Sequence, residues 1–303
     1  MTDLSLLRHG TPPYEKSMKR SSFALSAASI MAAFAMIPLP VAAQNARMVI
    51  ASDSPAIPYA RLMRLTLSAD MVIDATVRSA ARIAPAEATG LAPGMARFYV
   101  TVDVAALIRG PAGLAPRIGY LVDVPLDPRG RTPNLKRQRV IAFARAVAGR
   151  PDQVQLVTPD AQLPWSAALD QQVRGTVREV LDPAAPPAVK GIGTAFHVPG
   201  TLPGEGETQI FVQTATGAPV SLLILRRPGE DRRWALALSD IIDEAGGPAR
   251  PGTLAWYRLA CGLPAELPET SLQSQEPDNV ATARDDYRFV LNALGPCDDG
   301  RAG

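Results

Sequence analysis

Three segments in the first half of the chain alternate apolar and polar residues, and this period of two constrains the fold more than any other feature. The segments are residues 71–78, 98–104 and 118–124. Successive side chains of a β-strand point to opposite faces, so the pattern predicts strands with one core face and one more polar face. The apolar segments 139–147 and 153–157 complete a predicted set of five strands. Glycine and proline between the segments predict turns.

A helix is predicted on each side of these strands. Residues 59–69 carry apolar side chains at helical spacing, and Ser166 can cap a second helix that Asp182 and a following proline end. The next segment, residues 183–189, is rich in proline and predicts a stiff linker. We therefore expect a first domain over residues 44–182, bounded by this linker.

The remaining residues, 190–303, are predicted to form a second domain. Four strand candidates joined by short turns favour an antiparallel meander. They are residues 193–198, 208–214, 220–226 and 233–238. Two helices follow, the first capped by Thr253 and the second by Asp278 or Asn279. The predicted fold class is mainly β (α+β), with a meander followed by a pair of C-terminal helices.

Cys261 and Cys297 are the only cysteines in the chain. In an oxidising compartment such a pair is most simply a disulfide, which would tie the end of one C-terminal helix to the end of the next. The alternative is two separate buried thiols. Their spacing fits no metal motif, and His197 is the only histidine beyond residue 43, so no metal site is predicted.

Residues 18–44, MKRSSFALSAASIMAAFAMIPLPVAAQ, have the order of a secretory signal peptide. A positive start precedes an uncharged apolar stretch, and prolines and small residues lead to Ala43. We expect a signal peptide over residues 1–43, with Met18 as a candidate for the true start of translation. The alternative is an uncleaved anchor, since the stretch is long enough to span a bilayer. The protein is thus expected in the periplasm or outside the cell, or anchored by this segment.

Removal of that segment changes the charge of the chain. The full sequence has 31 lysines and arginines and 29 acids; the first 43 residues hold four of these cations and two of these acids, which leaves 27 of each. A chain without net charge has no global attraction to nucleic acid or anionic lipid. Nucleic acid is therefore not an expected partner, and no membrane span is expected once the segment is cleaved.

Three stretches resemble the plan of netrin/TIMP-like OB-fold domains. They are SADMVIDATV (68–77), RFYVTVDVAALIRGP (97–111) and RVIAFARAV (139–147). The resemblance covers residues 68–159 and implies an OB-like five-stranded barrel whose first strand follows a short helix. That family uses disulfide-forming N-terminal cysteines for metalloprotease inhibition, and those cysteines are absent here. The whole chain also resembles uncharacterised secreted bacterial proteins, which implies no activity.

The segment DPRGRTPNLKRQR, residues 127–139, sets five cations against one acid in the loop expected between the third and fourth strands. The cations are Arg129, Arg131, Lys136, Arg137 and Arg139. Loops of OB folds bind oligonucleotides or oligosaccharides, but no aromatic residue interleaves these cations, so a platform for base stacking is missing. We expect the loop to bind an anionic envelope polymer or an envelope protein. The alternative is a solvated loop.

The sequence offers few candidate catalytic residues. His197 is the one base available for nucleophilic catalysis, and its strand pattern favours an exposed or hydrogen-bonded structural histidine. Asp240 and Asp243 would share a helix face and could perform acid–base work, although acids at the start of a helical turn also favour a structural role. The adjacent Asp285 and Asp286 are expected on the solvated surface. No catalytic residue, metal or cofactor is predicted.

These observations favour a non-catalytic secreted or periplasmic protein that binds a partner protein or an envelope component. Two other functions stay open. One is a carboxylate-dependent hydrolase built on Asp240 and Asp243, and the other is a protein-inhibitor-like domain. The identity of the partner does not follow from the residues.

Overall fold

The computed structural model describes residues 57–238, 246–273 and 275–298 of the 303-residue chain. The predicted signal peptide, its cleavage site and the acids Asp240 and Asp243 lie outside the described residues. The predictions made for them stay predictions.

Five strands in the N-terminal part close into a mixed barrel. Their bounds are β1 Met71–Arg82, β2 Met95–Arg109, β3 Arg117–Pro125, β4 Arg139–Val147 and β5 Arg150–Leu156. The strand order is β1-β2-β3-β5-β4, and β1 also pairs with β4, which closes the sheet. The β3–β5 pairing is parallel and the other pairings are antiparallel. The predicted OB-like barrel is therefore confirmed, and a sixth short strand, β6 Gln162–Pro164, adds to β4.

One of the two alternating faces of each strand fills the barrel interior. Val100 and Val102 of β2 lie opposite Tyr120 and Ile118 of β3, and all four side chains are at most 2% exposed. Burial of this kind stabilises the fold by roughly 25 cal/mol per Å² of apolar surface removed from water. The period of two in the sequence follows directly from this arrangement.

β1 departs from the predicted half-buried pattern, because residues 71–75 are all buried. Two helices cover its outward face. They are α1 Tyr59–Ser68 and α2 Ala167–Leu181. Leu62 and Val173 of these helices belong to the same core cluster as Val72 and Phe143, which are register partners on β1 and β4. The barrel is thus covered by helices on one side and faces solvent elsewhere.

The C-terminal part is the predicted four-stranded antiparallel meander. Its strands are β7 Val189–Pro199, β8 Gly206–Thr214, β9 Val220–Arg226 and β10 Arg233–Ala237. Three helical elements follow: α3 Leu254–Ala260, a 3₁₀ helix Glu269–Leu272 and α4 Pro277–Leu294. One face of the sheet packs on these elements, with Ile210 and Leu222 in the same buried cluster as Tyr287 and Val290.

Two of the predicted helix caps are found and one prediction is wrong. The Ser166 and Thr253 side chains accept hydrogen bonds from backbone N–H groups in the first turns of α2 and α3. α4 instead begins after Glu276, with a proline in its first turn, rather than at Asp278 or Asn279. The fixed φ of proline suits a helix start, so no side-chain cap is required there.

The Cys261–Cys297 disulfide is formed, as predicted. Cys261 is the C-cap residue of α3 and Cys297 follows the end of α4. The alternative of two separate thiols is therefore excluded. Among the described residues, no helix is both long and apolar enough to cross a membrane.

Contacts also link the barrel helices to α3. Met63 belongs to the same buried cluster as Leu254. One carboxylate oxygen of Glu179 accepts hydrogen bonds of 2.8 Å from the Tyr59 hydroxyl and from the Leu254 backbone N–H. These contacts join residues on both sides of the predicted linker at 183–189, and a division into two domains there stays a prediction.

Candidate functional site

The predicted basic loop joins β3 to β4. Its Leu135 side chain is buried in the barrel core. One oxygen of Asp127 accepts 2.8 Å hydrogen bonds from the backbone N–H groups of Arg129 and Arg131. The Arg137 N–H donates to the Val77 carbonyl oxygen in the middle of β1, at 2.7 Å. The loop is therefore held at its start, its middle and its end.

Two of the five predicted cations are bonded within the fold. Arg139 is the first residue of β4, and its guanidinium makes two hydrogen bonds, of 2.9 and 2.6 Å, to the buried Asp74 carboxylate. The same guanidinium lies 3.9 Å from the centre of the Trp165 ring. Arg131 bonds to Asp127 through its backbone and its side chain, which lowers the pKa of that carboxyl. The charges of Arg131 and Arg139 are thus matched by neighbouring acids.

The other three cations of the loop are Arg129, Lys136 and Arg137, and all three residues are exposed. Within the described part of the chain, none of their side chains has a hydrogen-bond or ion-pair partner. Arg137 adopts a φ of 69°, in the left-handed region. That conformation costs a residue with a side chain roughly 1–2 kcal/mol. The loop therefore presents three uncompensated cations on a fixed backbone.

A second set of charged side chains is buried between the meander and α4. Asp286 of α4 is 0% exposed. Its carboxylate accepts hydrogen bonds from the Thr208 hydroxyl at 2.5 Å, from Arg226 Nε at 2.9 Å and from Arg232 Nη1 at 3.1 Å. The cluster ties β8 and the β9–β10 hairpin to α4.

The expectation that this acidic pair lies on the solvated surface is wrong for Asp286. Helical spacing places Asp286 on the same face as Ala283 and Val290, and that face packs on the sheet. The neighbouring Asp285 keeps a side chain that is 45% exposed. Hydrogen bonds from Arg226 lower the pKa of Asp285. One acid of the pair is thus a buried structural group and the other lies at its edge.

His197 extends this buried network. Its Nδ1 lies 2.9 Å from the Thr208 hydroxyl oxygen. Because the threonine donates its only proton to the Asp286 carboxylate, His197 Nδ1 must carry a proton and donate to the threonine. Its other nitrogen, Nε2, faces Gly206, where a Cβ atom would come within 2.7 Å. Thr208 is 0% exposed and cannot reach a substrate, so the hydrogen-bonded structural histidine expected from the sequence is found.

We expect acid to destabilise the fold through His197. Burial lowers the pKa of His197 below its ordinary value of 6.5, opposed by the Asp286 carboxylate and assisted by Arg226. The unfolded chain therefore binds more protons than the native state between the lowered pKa and 6.5. The stability that the neutral, buried His197 contributes is fully present above pH 6.5, and it is lost as the pH falls through this window.

Urea unfolding from about pH 7.5 to about pH 5 measures this effect. The variant His197→Gln keeps a side-chain donor for Thr208 but cannot be protonated in this range, so its unfolding free energy should fall less steeply. Equal slopes for the two proteins would show that His197 does not cause the acid sensitivity.

The acids proposed for a hydrolase are not part of the described structure. Asp240 and Asp243 lie in the gap between residues 238 and 246. Among the described residues, no group of three or more histidine, cysteine, aspartate or glutamate side chains is placed to hold a metal ion. The hydrolase and inhibitor readings of the sequence stay predictions.

A third feature is a cavity of about 600 Å³ on the outer surface of the barrel, where β3 and β5 separate. Tyr99 and Leu121 line it and are 37% and 49% exposed. The sequence placed both residues on the more polar faces of their strands and gave them no role. The sequence could have indicated this surface, because both are large apolar residues at outward positions of half-buried strands.

Comparisons with known proteins add no functional assignment. No protein-family model matches the chain, and no curated protein matches it. Among solved structures, the crystal structure of the di-domain ARO/CYC StfQ from the steffimycin biosynthetic pathway is 12% identical. The structural alignment covers 79% of this chain and 91% of the StfQ chain, with a TM-score of 0.14. A TM-score this low carries no argument about fold or function.

Proposed function

We propose that this protein is a non-catalytic secreted or periplasmic binding protein whose basic loop, residues 127–139, binds an anionic polymer of the cell envelope. The observation that carries the proposal is the set of three exposed cations without partners among the described residues, Arg129, Lys136 and Arg137. A cation that has no internal partner can bind a ligand without breaking an internal bond.

The rigidity of the loop supports the same proposal. Asp127 organises its first turn, Leu135 anchors it in the core and Arg137 is bonded to β1. A binding surface that is ordered before association loses less conformational entropy when the ligand arrives. The unfavourable backbone conformation of Arg137 is also of the kind that clusters at binding sites.

The compartment is supported by the disulfide and by the sequence. A disulfide between Cys261 and Cys297 persists in an oxidising compartment and is rare in the cytosol. The order of residues 18–44 is that of a secretory signal peptide. An envelope polymer would be encountered directly in such a compartment.

The proposal is tested by titrating the full chain with alginate, a polyuronate, and following the binding heat. The triple variant Arg129→Gln/Lys136→Gln/Arg137→Gln should bind about tenfold more weakly at low salt, because electrostatic attraction to a polyanion depends on the number of contributing cations. Added salt should weaken wild-type binding steeply and variant binding less so.

A matched variant separates this loop from general surface charge. Arg178, Lys190 and Arg227 are exposed cations outside the loop, and their replacement by glutamine should leave the affinity within about twofold. The single variant Arg137→Gly removes one cation and relieves the left-handed backbone, so it should weaken binding without loss of stability. Equal binding by the triple variant and the wild type would contradict the proposal.

A further inference from the structure

The cavity between β3 and β5 is bounded at both ends. The register between these parallel strands consists of the pair Gly119–Gln153. Further along, the Asp123 backbone N–H donates to the Pro159 carbonyl at 2.8 Å. Between these two points the strands separate and leave the cavity of about 600 Å³. The cavity is open to solvent along the barrel surface, and its volume suits a ligand of small-molecule size.

One wall of the cavity is apolar. Tyr99 and Leu121 are register partners on the outer face of β2 and β3. The hydroxyl end of the Tyr99 ring lies against Gly119, where an added Cβ atom would come within 2.1 Å of the tyrosine oxygen. Glycine at position 119 therefore allows the aromatic ring to lie across β3. An exposed tyrosine ring offers an apolar surface together with a polar hydroxyl.

The end of the cavity near Pro159 is polar but has no excess charge. Arg97 donates to the two oxygens of Asp123 at 2.7 and 2.8 Å, and to the Thr89 carbonyl at 2.9 Å. The Arg97 and Asp123 side chains are only 18% and 8% exposed. A bidentate pair of this kind places N–H donors and carboxylate lone pairs side by side. Such an array complements a group that both donates and accepts, as a sugar hydroxyl does.

Carboxamide side chains complete the polar lining. Gln153 and Gln155 of β5 line the cavity opposite β3. Each carboxamide has two donors and an acceptor without net charge, and the Gln153 oxygen already accepts a 3.2 Å hydrogen bond from Arg150. The ion pair of Arg97 with Asp123 is internally neutral, so the cavity favours neither an anion nor a cation.

We propose that this cavity binds a small neutral sugar of one or two rings. The apolar C–H face of such a ring would lie on Tyr99 and Leu121, and its hydroxyls would bond to the Arg97–Asp123 pair and the carboxamides. Pockets that bind small molecules combine mostly apolar walls with a few convergent polar groups in this way. The five cations of the basic loop do not line the cavity, so this site is independent of the proposed binding of an anionic polymer.

Saturation-transfer NMR on the full chain tests the proposal with glucose, N-acetylglucosamine, cellobiose and N,N′-diacetylchitobiose as probes. At least one of these neutral sugars should receive saturation, and glucuronic acid should bind no better than glucose. Because the ligand is uncharged, the signal should not depend on salt. Absence of transfer to all four neutral sugars, or stronger binding of glucuronic acid, would overturn the proposal.

Variants of residues that line the cavity test whether the sugar binds there. Tyr99→Ala should weaken sugar binding about tenfold or more, and Tyr99→Phe should retain most of it because the ring is kept. Leu121→Ser is a second variant at an exposed position and should also weaken binding. The matched control is Phe211→Ala, which removes an aromatic side chain that is 42% exposed on the meander. Binding unchanged in Tyr99→Ala and Leu121→Ser would overturn the assignment of the cavity.

Discussion

Asp286→Asn is expected to lower the free energy of unfolding by about 3–5 kcal/mol, the range for breaking a buried ion pair by removal of one partner. The Asp286 carboxylate is fully buried and accepts from Thr208, Arg226 and Arg232. The amide that replaces it has the same shape but one acceptor oxygen and no charge. Arg226 and Arg232, whose side chains are 25% and 32% exposed, then keep only Asp285 as a counter-charge. Urea unfolding at neutral pH measures the loss.

Asp285→Asn is the matched control for this variant. Asp285 bonds to the same two arginines, Arg226 and Arg232, but its side chain is 45% exposed. Solvent can replace the lost interaction there, so the expected cost is about 1 kcal/mol or less. Similar losses for Asp285→Asn and Asp286→Asn would contradict the view that burial makes Asp286 contribute more to the free energy of unfolding than Asp285.

The regular part of the fold follows from short-range patterns in the sequence. Side chains that alternate along β2 and β3 alternate between the barrel interior and its outer surface, so a period of two is sufficient to predict these strands. The meander is predicted for the same reason. The turn residues between strands, including Gly130 and Gly217 with φ of 73° and 76°, mark the connections.

The buried ion pairs could not be predicted, because their partners are far apart in sequence. Asp74 and Arg139 are 65 residues apart, and Arg226 and Asp286 are 60 apart. An alternating pattern assigns an aspartate to the polar face of its strand, but the helices that later cover β1 bury that face. The packing of distant elements therefore decided which acids are buried.

The same limit applies to the candidate sites. A count of five cations in residues 127–139 treats them as equivalent, whereas the fold pairs Arg131 and Arg139 with acids. The cavity beside Tyr99 depends on where two parallel strands separate, which no local pattern records. Sequence thus located the basic loop, and only the three-dimensional arrangement distinguishes its uncompensated cations and reveals the cavity.

Loss of the disulfide is expected to have an effect of similar size to loss of Asp286. The variant Cys261→Ala/Cys297→Ala should lower the free energy of unfolding by roughly 4 kcal/mol, which the chain-entropy model assigns to opening a loop of this length. The two cysteines are 36 residues apart, and the intervening chain includes most of the C-terminal helical region. Without the bond, the unfolded chain gains conformational freedom that the native state does not share.

Reductant separates the bond from the packing of the two side chains. Treatment of the wild type with a thiol reductant should reproduce most of the loss seen in Cys261→Ala/Cys297→Ala, and the same treatment should leave that variant unchanged. The two sulfurs also contact a buried cluster, so alanine is the replacement that keeps this surface apolar. A wild type whose stability is the same with and without reductant would show that the bond contributes little.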